Sequence, residues 1–157
     1  QNVLNTAKQL DAYDSGRIYY YLGDYQKAYL ALEEAKGKGG VDSYLYLGKA
    51  YAATGDYNYA SSVYSNYLSK QGPDAEIYNQ LGLCEMAKKD YQKALEAFQA
   101  GKQIEGNSLM QTLSFNEIVA YEYLQDYQKA AVLLKAYLQN CPDDQAAIRE
   151  QQFLSTR

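Results

Sequence analysis

The hexapeptide Gly23-Asp24-Tyr25-Gln26-Lys27-Ala28 returns three more times in this chain. It recurs as Gly55-Asp56-Tyr57-Asn58-Tyr59-Ala60, as Lys89-Asp90-Tyr91-Gln92-Lys93-Ala94, and as Gln125-Asp126-Tyr127-Gln128-Lys129-Ala130. The Asp residues stand 32, 34 and 36 positions apart. A period of about 34 residues is the length of one helix–turn–helix unit, so the chain is expected to stack helical hairpins. Within the hexapeptide, Asp is a strong N-cap because its carboxylate accepts from the free N–H groups of the first turn. Its charge also suits the positive end of the helix dipole. Gly23 and Gly55 sit where a preceding helix must stop. Tyr packs from the first turn, and Ala is small because another helix crosses close by.

With 157 residues the chain is long enough to bury a substantial core. Its net charge is −4, and its Lys and Arg form no run. Nucleic acid is therefore not an expected partner, since its affinity rests on clustered cations. A polybasic membrane patch is not expected either. No apolar run reaches the roughly 18 residues of a membrane span, so direct membrane insertion is not expected. The chain begins with Gln, which fits a trimmed or processed product. A preceding signal peptide or lipoprotein anchor is compatible with that start, and the compartment stays open between cytoplasmic and extracytoplasmic.

The absence of His removes the commonest general base and the commonest metal ligand. Cys84 and Cys141 lie far apart, with no zinc spacing. They are expected to be two unpaired thiols, Cys84 buried in a helix and Cys141 at a helix end. The alternative is a disulfide between the third and fourth repeats. No metal and no cofactor is expected. Carboxylate neighbours such as Glu33-Glu34 and Asp143-Asp144 read as surface and cap charges, because adjacent helical residues diverge by about 100°. No nucleophile–base pair can be named, so no catalytic residue is expected.

Aligning the hexapeptides divides the chain into repeats at about 9–40, 41–74, 75–110 and 111–144, with a capping helix at 145–157. The whole is read as a single domain over 1–157, with about nine helices and no strand. In the second repeat Tyr44, Leu47, Gly48 and Tyr51 share one helical face. The motif Tyr44-x2-Leu47-Gly48-x2-Tyr51, then Ala60-x3-Tyr64, then Gly72-Pro73, resembles the tetratricopeptide repeat. The third repeat reads Tyr78-x2-Leu81-Gly82-x2-Glu85, then Ala94-x3-Phe98. The first keeps Gly16, Tyr19 and Ala28-x3-Leu32. The fourth keeps Tyr121, Ala130-x3-Leu134 and Pro142, but has Ile118 in place of the small residue. The resemblance implies an all-α, right-handed superhelical solenoid of four helix–turn–helix repeats closed by a C-terminal capping helix.

A helical Gly costs about 1 kcal/mol relative to Ala. Gly16, Gly48 and Gly82 are therefore expected where a facing helix approaches closely. The stretch Ala35-Lys36-Gly37-Lys38-Gly39-Gly40 lacks the spacing of a phosphate-binding loop and reads as an inter-repeat turn. Gly101 and Gly106 are read as bracketing another such turn.

The resemblance further implies that the first helix of each repeat lines a concave face. The residues carried onto that face as peptide- or partner-binding anchors are Tyr13, Arg17, Tyr20, Tyr46, Lys49, Asn79, Leu83 and Asn116. Tyr gives contact area at low entropy cost, and amides can bond a peptide backbone. The family's carboxylate clamp would fall on Tyr13, Arg17, Tyr46, Glu76 and Gln80. Only Arg17 there is cationic, so that clamp is not expected. The leading expectation is a non-enzymatic scaffold binding a protein or peptide. A structural spacer, with homo-oligomers formed by end-to-end stacking through residues such as Val3, Leu4 and Phe153, is a second. A repeat domain sensing a small ligand is a third.

Overall fold

In the computed structural model, residues 11–36 and 40–157 are described. Val3, Leu4, the start of the first repeat and Gly37 lie outside the described residues. The described chain is helical, without a strand among the described residues. In order the helices are α1 (Ala12–Tyr21), α2 (Tyr25–Glu34), α3 (Gly40–Ala53), α4 (Tyr57–Gln71), α5 (Ala75–Ala87), α6 (Tyr91–Lys102), α7 (Met110–Tyr123), α8 (Tyr127–Asn140) and α9 (Gln145–Leu154). They form two compact units that divide between Gly72 and Pro73. In the first unit α1 packs on α2 and α3, α2 on α3, and α3 on α4. In the second, α5 packs on α6, α6 on α7, α7 on α8 and α8 on α9.

Each hexapeptide makes a three-residue connection between two helices. Its Asp works from both ends. The backbone N–H of Asp24 donates to Tyr19 O at 3.0 Å, closing α1, while its carboxylate accepts from Lys27 N at 3.3 Å, opening α2. Asp56, Asp90 and Asp126 repeat both bonds, to Tyr51 O, Glu85 O and Tyr121 O behind and from Tyr59 N, Lys93 N and Lys129 N ahead. The residue before each Asp is left-handed, as this helix ending demands. Gly supplies it at 23 and 55, with φ of 76° and 84°, but Lys89 and Gln125 supply it with φ of 63°. In the first and third copies the Lys at the third helical position also pairs with the capping carboxylate, Lys27 with Asp24 and Lys93 with Asp90. That pairing, with the backbone bond from the same Lys, holds the carboxyls of Asp24 and Asp90 below their ordinary range.

The four alanines of the hexapeptides, Ala28, Ala60, Ala94 and Ala130, are each 0% exposed. The helical glycines face the partner helix of the same hairpin. A Cβ on Gly16 would stand 2.8 Å from Leu32 Cδ2, and one on Gly82 would stand 2.6 Å from Phe98 Cδ1. The fourth hairpin solves the same crossing with two aliphatic side chains. Ile118 and Leu134 are both buried there, in a cluster with Ala130, Tyr137, Ala147 and Leu154. Gly101 corrects the sequence reading. It lies inside α6, not at a turn, and a Cβ there would stand 3.1 Å from Leu113 Cδ1 and 3.2 Å from Tyr78 Cβ. Gly106, with φ of 69°, is in the turn. Both thiols are free, Cys84 buried in α5 and Cys141 capping the end of α8.

Candidate functional site

In the first unit, α1 and α3 bring four of the proposed anchors together. Tyr13, Arg17 and Tyr20 lie at helical spacing on α1, and Tyr46 lies on α3. The guanidinium of Arg17 is held between two rings, 5.3 Å from the centroid of Tyr13 and 5.3 Å from that of Tyr46. The ring of Tyr46 meets that of Tyr20 edge-on at 5.5 Å. Tyr20 in turn touches the rings of Tyr21 at 5.6 Å and Tyr25 at 5.7 Å. The hydroxyls of Tyr21 and Tyr46 share a 2.6 Å hydrogen bond. Tyr13 donates from its hydroxyl to Asp42 Oδ2 at 3.3 Å, fixing one wall of the sandwich.

Arg17 keeps binding capacity within this cluster. Its nearest carboxylate, Asp14, is 3.9 Å away, and its Nε is buried with no partner. A guanidinium lying over two aromatic rings is attracted to both. Its edge still presents N–H donors to an acceptor. Burial first, then the charge of Asp42, raises the Tyr13 hydroxyl above its ordinary value. Burial also raises Tyr20. Tyr13 and Tyr20 therefore stay neutral through the physiological range and act as hydrogen-bonding and stacking groups. Lys49, one turn beyond Tyr46 on α3, is half-buried and engaged within the protein.

In the second unit the structure places Asn79 and Leu83 on α5 and Asn116 on α7. Asn79 is buried at 6% exposure, and its carbonyl accepts from Asn116 Nδ2 at 2.9 Å. The two amides thus hold α5 against α7, with Asn116 half-buried. Leu83 is 42% exposed, an apolar side chain open to solvent one turn from Asn79. Gln80 donates to Glu76 Oε1 at 2.9 Å, so two of the carboxylate-clamp positions are occupied with each other. Sequence reasoning had no signal for the Asn79–Asn116 bond, which joins residues 37 positions apart. It also missed the exposed Tyr21, which extends the first cluster through Tyr46.

Among the described residues there is no group of three or more His, Cys, Asp or Glu side chains placed to hold a metal ion. No helix of the described residues is long and apolar enough to cross a membrane.

Comparison with known proteins agrees with this architecture. Residues 45–108 match the Tetratricopeptide repeat family model. No curated protein sequence matches it. Among solved structures, a crystal structure of MamA protein superposes with a TM-score of 0.79 at 21% identity, covering 91% of this chain and 78% of that one. MamA AMB-1 gives 0.73 at 23% identity, with 94% and 80% covered. The second TPR domain of human RPAP3, solved in complex with an HSP70 peptide, gives 0.62 at 15% identity, with 70% and 90% covered. At these identities the likeness is one of fold: a solenoid of helix–turn–helix repeats.

Proposed function

We propose that the chain is a non-enzymatic interaction module that captures an extended segment of a partner protein. Its main anchor is the Tyr13–Arg17–Tyr20–Tyr46 cluster. The observation that carries this reading is Arg17, whose guanidinium lies 5.3 Å from each of two ring centroids while its Nε lacks a partner. A rigid aromatic and Arg patch is the composition of interface hot spots. Lys49 is the further anchor of the first unit, and Leu83, Asn79 and Asn116 are those of the second, taken by itself. Leu83 offers an apolar contact, while Asn79 and Asn116 hold the helices that present it. Peptide capture by the RPAP3 domain supports the same use of the fold here.

The test is to select peptide ligands from a random library on the purified chain. Their affinities are then measured for the native protein and for Arg17→Met and Tyr46→Ala. Each variant is expected to weaken binding at least tenfold, about 1.4 kcal/mol, with its melting curve retained. Unchanged affinities in both variants, together with loss on Leu30→Lys at the exposed face of α2, would place the binding surface elsewhere.

A further inference from the structure

Helix α9 packs on α8 through Ala147 and Leu154, which join the cluster of Ile118, Ala130, Leu134 and Tyr137. Beside this contact is a cavity of about 390 Å³. It is lined by Val119, Glu122 and Tyr123 of α7, Tyr127 of α8, and Glu150 and Phe153 of α9. Two carboxyl groups therefore meet where α9 comes against the α7–α8 hairpin. Glu122 and Glu150 line the same cavity from facing helices. Oε1 of Glu122 is buried with no partner.

An ionised carboxylate only accepts hydrogen bonds, so a bond between two carboxyls requires a proton on one of them. Two like charges held together in a partly buried site cannot both ionise cheaply. The other ionisable groups lining the cavity are the hydroxyls of Tyr123 and Tyr127, and two of its lining rings carry the guanidinium of Arg157. That guanidinium lies over the Phe153 ring at 4.5 Å and the Tyr127 ring at 5.9 Å. No Lys or Arg lines the cavity to neutralise the pair. Burial, then the neighbouring Glu150, pushes the Glu122 carboxyl up to about 8.

We propose that one proton shared by Glu122 and Glu150 latches α9 in place, making this helix a pH-responsive cover over the apolar face of α8. The docked state binds a proton that the undocked state releases. Docking is therefore strongest below the ordinary Glu value of 4.5 and weakens as pH rises towards about 8. Above that value the dependence levels off. The limiting slope for one proton is about tenfold in the docking equilibrium per pH unit. Undocking uncovers Leu134 and Tyr137, now buried against Ala147 and Leu154.

The test uses the 157-residue chain. Amide hydrogen exchange is followed from pH 5 to pH 8.5 and expressed as protection relative to the intrinsic rate at each pH. Protection in α9 is expected to fall by more than tenfold over this range, while that in α5 and α6 holds. Glu122→Gln mimics the protonated pair and is expected to flatten the α9 response. A carbon-13 titration of the Glu122 side-chain carboxyl in the unmodified chain reads the proton directly. A midpoint near 8 supports the latch. A midpoint in the ordinary Glu range, or an α9 response that is flat in the native chain or unchanged in Glu122→Gln, overturns it.

Discussion

Gly48 of α3 lies against the ring of Tyr64 of α4: a Cβ at position 48 would stand 2.5 Å from Tyr64 Cε1 and 2.6 Å from its hydroxyl oxygen. The ring is fully buried, and its hydroxyl donates to Leu45 O at 3.4 Å. The ring has no room to retreat. Gly48→Ala is therefore expected to destabilise by roughly 1–3 kcal/mol through overpacking. In a Tyr64→Ala background the obstacle is gone. There the same substitution is expected to turn neutral or stabilising, by up to the roughly 1 kcal/mol that Ala gains over Gly in a helix. A urea double-mutant cycle measures this coupling. Additive effects of the two substitutions would mean that the ring does not set the requirement for Gly.

Lys89 and Gln125 hold the left-handed conformation, with φ of 63°, at the place where Gly23 and Gly55 stand in the first two hairpins. An L-residue pays a steric penalty there that Gly avoids. Both side chains are exposed, so little packing is lost on removing them. Lys89→Gly and Gln125→Gly are each expected to raise stability by about 0.5–1 kcal/mol. Gly55→Ala should lower it by a similar amount. A lower melting temperature in both Gly variants would refute the argument.

The repeat made the helical hairpins legible because each Asp and Ala solves a local problem. The Asp caps a helix within three residues of itself, and the Ala faces a helix one short connection away. Gly16, Gly48 and Gly82 were legible for the same reason. The inward turn of Asn79 was not, because its partner Asn116 lies on another hairpin of the same unit. Gly101 was misread because its neighbours, Leu113 and Tyr78, come from two other helices. The sandwich of Arg17 lay half within reach. Tyr13 and Arg17 are four residues apart on α1, but the second ring, Tyr46, comes from α3.

Glu117 of α7 is another charge that the repeat pattern did not announce. It is 6% exposed, paired with Lys102 Nζ at 2.6 Å, and accepts from Gln99 Nε2 at 2.9 Å. Removing the cation leaves a buried carboxylate with one neutral donor. Lys102→Met is expected to destabilise by about 3 kcal/mol. Lys102→Met with Glu117→Leu should recover most of that loss, since no charge is then left buried. Chemical denaturation of the single and double variants decides this. A double variant no more stable than the single one contradicts it.

The two thiols should differ sharply in reactivity. Cys84 is 4% exposed, and burial, then the charge of Glu85, pushes its thiol up to about 11. Thiolate is the reactive form, so at neutral pH Cys84 is both inaccessible and protonated. Cys141 is half-buried at the end of α8. A disulfide-exchange reagent such as dithionitrobenzoate is expected to titrate one thiol in the native protein and the second only after denaturant is added. Cys141→Ser should abolish the native phase. Equal rates for both thiols would show that α5 does not shield Cys84.

Asp144 opens α9 and ties it back to α8. Its carboxylate accepts from Ala146 N at 3.0 Å and Ala147 N at 3.2 Å, and from the Tyr137 hydroxyl at 2.6 Å. The Tyr137 bond is the largest cause holding this carboxyl below its ordinary value of 3.8. A depressed carboxyl stabilises the fold above its unfolded pKa, and that contribution is lost as pH falls through the folded one. The sign is opposite to that of Glu122, so α9 is held best in the narrow window between the ordinary Asp value of 3.8 and the ordinary Glu value of 4.5, and less well as pH rises towards about 8. Tyr137→Phe removes the largest of the three bonds to Asp144. Its melting temperature should therefore fall less steeply than that of the native chain between pH 5 and pH 2, though it starts lower. The caps Asp24 and Asp90 titrate alike in both proteins, so the difference in slope isolates Asp144. Identical slopes would show that the Tyr137 hydroxyl does not hold the Asp144 charge.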